Sequence, residues 1–130
     1  MSPLPSACPC GSGRTCAACC GRWHSGEHHL QAPDAEALMR SRYSAYVLGL
    51  GDYLRDTWHA STRPTEAITF EQGLRWLGLE VRRHGQTDAE HAVVEFVARS
   101  KLGGRALRLH ETSRFVRELG RWFYVDGELK

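Results

Sequence analysis

Leu38, Met39, Tyr43, Tyr46, Val47 and Leu50 recur at intervals of three and four residues, which draws one apolar stripe along a helix. Asp34, directly after Pro33, stands where an N-cap belongs, and Gly49 and Gly51 mark the stop. Asp52 is placed to cap a second short helix, "YLRDTWH", ahead of the proline-containing loop "ASTRPTE". Thr69 and Gln72 have the spacing of a capping box and predict a further helical turn, "FEQGLRW", over 70–76. From residue 76 the pattern changes. "WLGLEVRR", "HAVVEFVAR", "RALRLHETSRFVREL" and "RWFYVDGEL" are rich in Val, Leu, Phe and Tyr, and the turn signals "HGQTDAE", "SKLGG" and "ELG" separate them at hairpin intervals. Helices first and antiparallel strands afterwards is an α+β order.

The N-terminal quarter has no such periodicity. Residues 8–20 read "CPCGSGRTCAACC" and contain every cysteine of the chain. "SGEHHLQAPD", over 25–34, is polar, contains Gly and Pro, and reads as a linker. The pattern therefore divides the chain into a cysteine segment at 1–24, a linker at 25–33 and an α+β domain at 34–130. Because nearly all the core aromatics follow residue 34, the cysteine segment is expected to be an appendage to that domain; the competing expectation is a tightly docked segment anchored by Trp23.

Length and composition fit this division. A chain of 130 residues is one domain with room for a short appendage, and its 42% hydrophobic content is that of an ordinary globular protein. A net charge of +2 is too small to imply nucleic-acid or membrane binding by bulk electrostatics. The basic residues are nearly all arginine, with Lys101 and Lys130 the exceptions. No stretch approaches the roughly 20 apolar residues of a membrane span. "MSPLPSACPC" lacks the charged and apolar regions of a signal peptide, so a cytoplasmic location is expected, where thiols stay reduced.

Clustered cysteines in a reducing compartment point to metal. Four thiolates give Zn²⁺ a closed tetrahedral shell. "Gly11-Ser12-Gly13" supplies a tight turn after the first pair, which lets backbone N–H groups face the sulfurs. Such a centre carries a formal charge of about −2 by charge counting, which Arg14, Arg22 and His24 lie close enough in sequence to offset. On chemistry alone, any two of Cys16, Cys19 and Cys20 complete the shell begun by Cys8 and Cys10. Cys16 and Cys19 form a CxxC pair, but no βαβ pattern surrounds it to support thioredoxin-like chemistry. His28 and His29 are nearby, although four sulfurs already suffice.

The order CxCGSG, followed after eight residues by a CC pair, resembles the SEC-C motif, the zinc segment named for the SecA translocation ATPase. "CPCGSG…CCGRWHSGE" followed by "AEALMRSRYSAYVLG" resembles the bacterial YchJ-like family, as do "TWHASTRP", "WLGLEV", "VEFVAR" and "LHETSRFVRELGRWFYVDG". The resemblance spans nearly the whole chain. It implies Zn²⁺ ligands at Cys8, Cys10, Cys19 and Cys20. The family position of Cys16 is usually not cysteine, which favours Cys16 as a bystander and leaves it only as the alternative metal ligand. It also implies a nuclear-transport-factor-2-like (NTF2-like) cone, in which helices pack on a curved antiparallel sheet.

A cone of this kind holds a pocket between its helices and the concave face of its sheet. Tyr43, Tyr46, Trp58, His59, His110, Arg114 and Tyr124 are the candidates to line it. His110 and Glu111 must face opposite ways, since strand side chains alternate, and Tyr124 and Asp126 are expected to share a face with Trp122. Related cones host isomerases with an Asp base facing tyrosines, an arrangement that Tyr43, Tyr46 and Asp126 would imitate. Two function classes follow. In one, the zinc segment docks a protein or nucleic-acid partner, as the SEC-C tail of SecA does. In the other, the pocket makes the chain a small enzyme or ligand binder, although no particular substrate can be read from the sequence.

Overall fold

The computed structural model describes residues 7–130. Residues 1–6, which include part of the stretch expected not to be a signal peptide and the start of the cysteine segment, lie outside the described residues. A 3-10 turn at Cys16–Ala18 and a one-turn helix α1 at Gly21–His24 precede α2 (Ala35–Leu48) and α3 (Gly51–Asp56). Four strands follow: β1 (Arg75–Gln86), β2 (His91–Leu102), β3 (Arg105–Glu118) and β4 (Arg121–Leu129). They form one antiparallel sheet in sequence order, the expected hairpin meander. Among the described residues, no helix is long and apolar enough to cross a membrane.

The ends of α2 are set locally. The Asp34 carboxylate accepts from the Ala37 N–H at 2.7 Å, satisfying one of the donors that a helix start leaves open. Gly49 closes the helix in the left-handed region at φ 73°, and its N–H bonds the Ala45 carbonyl. α3 starts at Gly51, so Asp52 lies in its first turn and does not cap it. The helical turn expected over 70–76 does not form. Gly73, at φ 83°, turns the chain instead, and β1 is already paired with β2 from Arg75.

Three register shifts bend the sheet, because a bulged strand kinks and twists more strongly. They leave Leu77 and Arg82 as extra residues in β1 and Val125 as the extra residue in β4. The face turned toward α2 carries Trp76, Leu79 and Val81 from β1, Val94, Phe96 and Ala98 from β2, Phe115 from β3, and Trp122 and Tyr124 from β4. Leu38, Met39 and Tyr43 of α2 complete this core.

α2 is buried on more than its apolar stripe. Ser41 and Ser44 are fully enclosed, whereas Val47 and Leu48 are exposed. The cysteine segment explains this burial. Cys8, Cys10, Cys19 and Cys20 belong to the same buried cluster as Leu38, Met39 and Tyr43, so they cover a flank of α2 that the sheet leaves open. Polar contacts fix the arrangement: the Arg40 Nη1 donates to the Cys10 carbonyl at 2.9 Å, and the His24 Nε2 lies 2.8 Å from the Ser41 carbonyl. The Tyr53 hydroxyl donates to the Ser41 Oγ at 2.7 Å, and that Oγ donates in turn to the Leu38 carbonyl. Trp23 packs against both buried clusters, and Ala32 of the intervening stretch is buried too. The segment is thus part of the core and not the loosely attached appendage expected from the sparse apolar content of 25–34.

Two stability measurements check these contacts. Asp34→Ala removes the cap of α2 and should cost about 1 kcal/mol in chemical denaturation. Trp23→Ala should cost about 2 kcal/mol, below the value for a fully buried aromatic because Trp23 is half-buried. The whole cooperative melt should then shift down by roughly 5–10 °C. An unchanged midpoint for Trp23→Ala would show that the segment does not share the core.

Candidate functional site

The cysteine segment is a small closed knot. Ala7 and Thr15 bridge antiparallel, and the Cys8 N–H bonds the Arg14 carbonyl at 2.8 Å, so the loop between them carries Cys8 and Cys10 back on itself. Thr15 caps the 3-10 turn by accepting from Ala18 N–H. Cys19 closes that turn and Cys20 starts α1, so the chain changes direction between the two adjacent cysteines. This change of direction brings two neighbouring side chains to one point.

The Sγ atoms of Cys8, Cys10, Cys19 and Cys20 all lie within 4.8 Å of one another. A tetrahedral ion with bonds of about 2.3 Å requires sulfurs about 3.8 Å apart. The Cys10 and Cys19 sulfurs are 3.6 Å apart, so the donor set fits a metal ion of that kind. Donors also face the sulfurs, as metal thiolates require. The Ser12 hydroxyl donates to the Cys19 Sγ at 3.1 Å, and the Ser44 hydroxyl lies 3.5 Å from the Cys8 Sγ. Hydrogen bonding from Cys20 pulls the Cys10 thiol down to about 4 against the opposing effect of burial. The same pairing, with burial, pushes Cys20 up. Thiolates this close repel one another unless a cation lies between them. Cys16 stands outside the four-sulfur group, half-buried, with its thiol pushed up by burial. The structure does not bring His28 or His29 into that group either.

The second feature is a cavity of about 290 Å³ between α2 and the sheet. Tyr43 and Tyr46 of α2 line it, with Trp58 and Tyr124. His59, His110 and Arg114 do not. On β3 the odd-numbered residues Leu109, Glu111 and Ser113 face the cavity, so His110 and Arg114 point to the outer face. There the His110 Nε2 lies 2.7 Å from Glu95, which also accepts from Arg83. These partners, His110 first, hold the Glu95 carboxyl below its usual range. Arg114 makes a two-pronged pair with Asp126 at 2.6 and 2.8 Å. His59 bonds Ser61 and Glu118 away from the cavity. The bulge at Val125 also turns Asp126 off the face it was expected to share with Tyr124, so the isomerase-like set of Tyr43, Tyr46 and Asp126 is not assembled.

Two charged groups do reach the cavity. Arg42 was not among the candidates, although its place three residues after Met39 and four before Tyr46 sets it beside the apolar stripe of α2. Glu111 was readable only as facing away from His110. Its carboxylate accepts from the Ser113 hydroxyl and lies where a Cβ on Gly127 would otherwise sit. Gly127 is thus a strand residue whose missing side chain makes room for Glu111. Burial pushes the Tyr43 and Tyr124 phenols up, so both remain neutral hydrogen-bonding groups at ordinary pH.

Comparison with known proteins gives the same two parts. Residues 34–127 match the family described as "YchJ, middle NTF2-like domain". A UPF0225 protein of Bordetella parapertussis is 58% identical over 126 residues, covering 97% of this chain and 95% of the relative. A UPF0225 protein of Methylibium petroleiphilum is 62% identical over 128 residues, covering 98% and 90%. The solution structure of a SEC-C motif containing protein from Rhodopseudomonas palustris superposes with a TM-score of 0.80 at 35% identity, over 93% of this chain and 96% of that one. A crystal structure of a SEC-C motif containing protein from Psychrobacter arcticus gives 0.77 at 28% identity, over 95% and 82%. The chain belongs to the UPF0225 family, with a SEC-C cysteine cluster packed on a YchJ-type NTF2-like domain.

Proposed function

We propose that this protein is a zinc-stapled binding protein, in which Cys8, Cys10, Cys19 and Cys20 hold one structural Zn²⁺ and the cavity under α2 takes a small ligand. The observation that carries the metal reading is the enclosure of all four donors, with relative exposures of 4, 0, 7 and 1%. A catalytic zinc keeps one position open to water or substrate, whereas four buried sulfurs fill the shell. The ion supplies charge and tetrahedral geometry there, and its binding free energy becomes folding free energy. Arg40 reaches the Cys10 carbonyl, and Arg14 and Arg22 line the same groove, so cationic groups surround the thiolates. The reading requires reduced thiols and hence a reducing compartment, the cytoplasm.

Support for the ligand reading comes from the cavity's composition: mainly aromatic and aliphatic walls with a few polar groups, the usual make-up of a small-molecule site. A second reading keeps the cysteine segment as a docking face for a protein or nucleic-acid partner. It is favoured by Arg14 and Arg22 beside Trp23, with the Arg22 guanidinium 4.5 Å from the Trp23 ring. The relatives called SEC-C motif containing proteins share this segment.

Elemental analysis tests the metal reading. Protein purified without chelator should carry about one zinc per chain. Cys10→Ser and Cys19→Ser should lose it, and Cys16→Ser should keep it. Zinc retained by Cys20→Ser and lost by Cys16→Ser would replace this ligand set with one built on the CxxC pair.

A further inference from the structure

Arg42 is the one charged side chain in the buried class among the described residues, with a relative exposure of 5%. Its Nη1 donates to the Leu54 carbonyl at 2.7 Å and to the Thr57 hydroxyl at 2.6 Å. The guanidinium carbon lies 4.5 Å from the Tyr124 ring and 5.1 Å from the Trp58 ring. These contacts orient the group and favour its cationic form, but neither neutralises it. Both hydrogen bonds come from Nη1, which leaves Nε and Nη2 without a protein acceptor among the described residues. No carboxylate of the described residues lies within ion-pair distance. A buried guanidinium with neither ion-pair partner nor full hydrogen bonding is costly, and Glu111 across the cavity attracts it only from beyond ion-pair distance, so a closer counter-ion would stabilise it.

Arg42 borders the cavity, whose walls are mainly aromatic, with Tyr43, Tyr46, Trp58, Trp76, Phe115 and Tyr124 among them. At about 290 Å³ it is roughly twice the volume, about 150 Å³, of an apolar cavity that binds benzene. A one- or two-ring body fits such a space. Glu111 stands on the sheet side, engaged by the Ser113 hydroxyl. One side of the cavity therefore offers a cation and the other repels negative charge.

We propose that the cavity binds a small aromatic or alicyclic monocarboxylic acid, with its carboxylate on Arg42 and its ring between the aromatic walls. Planar guanidinium groups match carboxylates two-prongedly, and Nε and Nη2 present the two donors that this geometry uses. Glu111 makes the site select against a second acidic group at the far end of the ligand. The proposal deepens the reading of the cavity as a ligand site and depends on it.

The test uses full-length, zinc-loaded, 15N-labelled protein titrated with 1-naphthaleneacetate and, separately, with its neutral amide, 1-naphthaleneacetamide. Amide and indole N–H shifts locate the binding. The acid should bind at least about tenfold more tightly than the amide, as expected for a hydrogen-bonded charge pair. Both should move the signals of Tyr43, Trp58, Trp76 and Tyr124. Glu111→Gln, confirmed folded by its melt, should tighten the acid several-fold relative to any change it makes in the amide. Equal affinities for acid and amide overturn the carboxylate assignment while the cavity remains a ligand site. Shifts confined to other surfaces, or no binding by either compound, overturn the cavity reading as well.

Discussion

Four buried sulfurs that all lie within 4.8 Å of one another make a candidate site for one metal ion, and the rest of this structure is arranged around that cluster. The segment that gathers them is too short to have a core of its own. It obtains one by lying on α2, where Cys8 meets Ser44, Arg40 meets the Cys10 carbonyl and His24 meets the Ser41 carbonyl. α2 is therefore held from two sides, by the cysteine knot on one flank and the sheet on the other. A helix with serines enclosed at positions 41 and 44 makes sense only in that setting.

That double hold has a consequence for the cavity. Arg42 lies between Ser41, bonded to Tyr53, and Tyr43, which packs edge-on against Trp76 at 5.6 Å. The position of the buried guanidinium is thus tied to the helix that the cysteine segment braces. α3 contributes the Leu54 carbonyl, and Thr57 just beyond it contributes its hydroxyl. β4 joins in through the parallel bridge between Trp58 and Tyr124, where the Tyr124 N–H bonds the Thr57 carbonyl at 2.8 Å. Cysteine knot, helix and cavity wall form a continuous packed path.

Much of this was legible in the chain itself. Asp34 and Gly49 delimit α2 by local chemistry that needs no tertiary context, and the four strands follow from alternation and turn residues. The cysteine spacing pointed to one metal centre, and Cys16 was separable only through a resemblance. Tertiary contacts decided the rest. Gly73 and the pairing of Arg75 with Lys101 overrode the apparent capping box at Thr69. The bulge at Val125 reversed the side on which Asp126 lies, and a one-residue bulge leaves no mark in a hydrophobic pattern. The pleat that carries Glu111 into the cavity necessarily carries His110 and Arg114 out of it, so naming His110 as a pocket residue required the wrong phase for β3. Docking of the cysteine segment was signalled only by Trp23, because its other contacts are mainly sulfur, serine and backbone groups, which a search for apolar stripes passes over.

The central claim is that the metal centre braces α2 and, through it, the cavity. Removing the ion with a strong chelator while following backbone amide signals tests this most directly. The account predicts that signals from residues 8–24 are lost or collapse and that those of Ser41, Arg42, Tyr43, Trp58 and Tyr124 shift with them, accompanied by a lower unfolding midpoint. Changes confined to residues 8–24, with α2, the cavity residues and the midpoint unaltered, would contradict it.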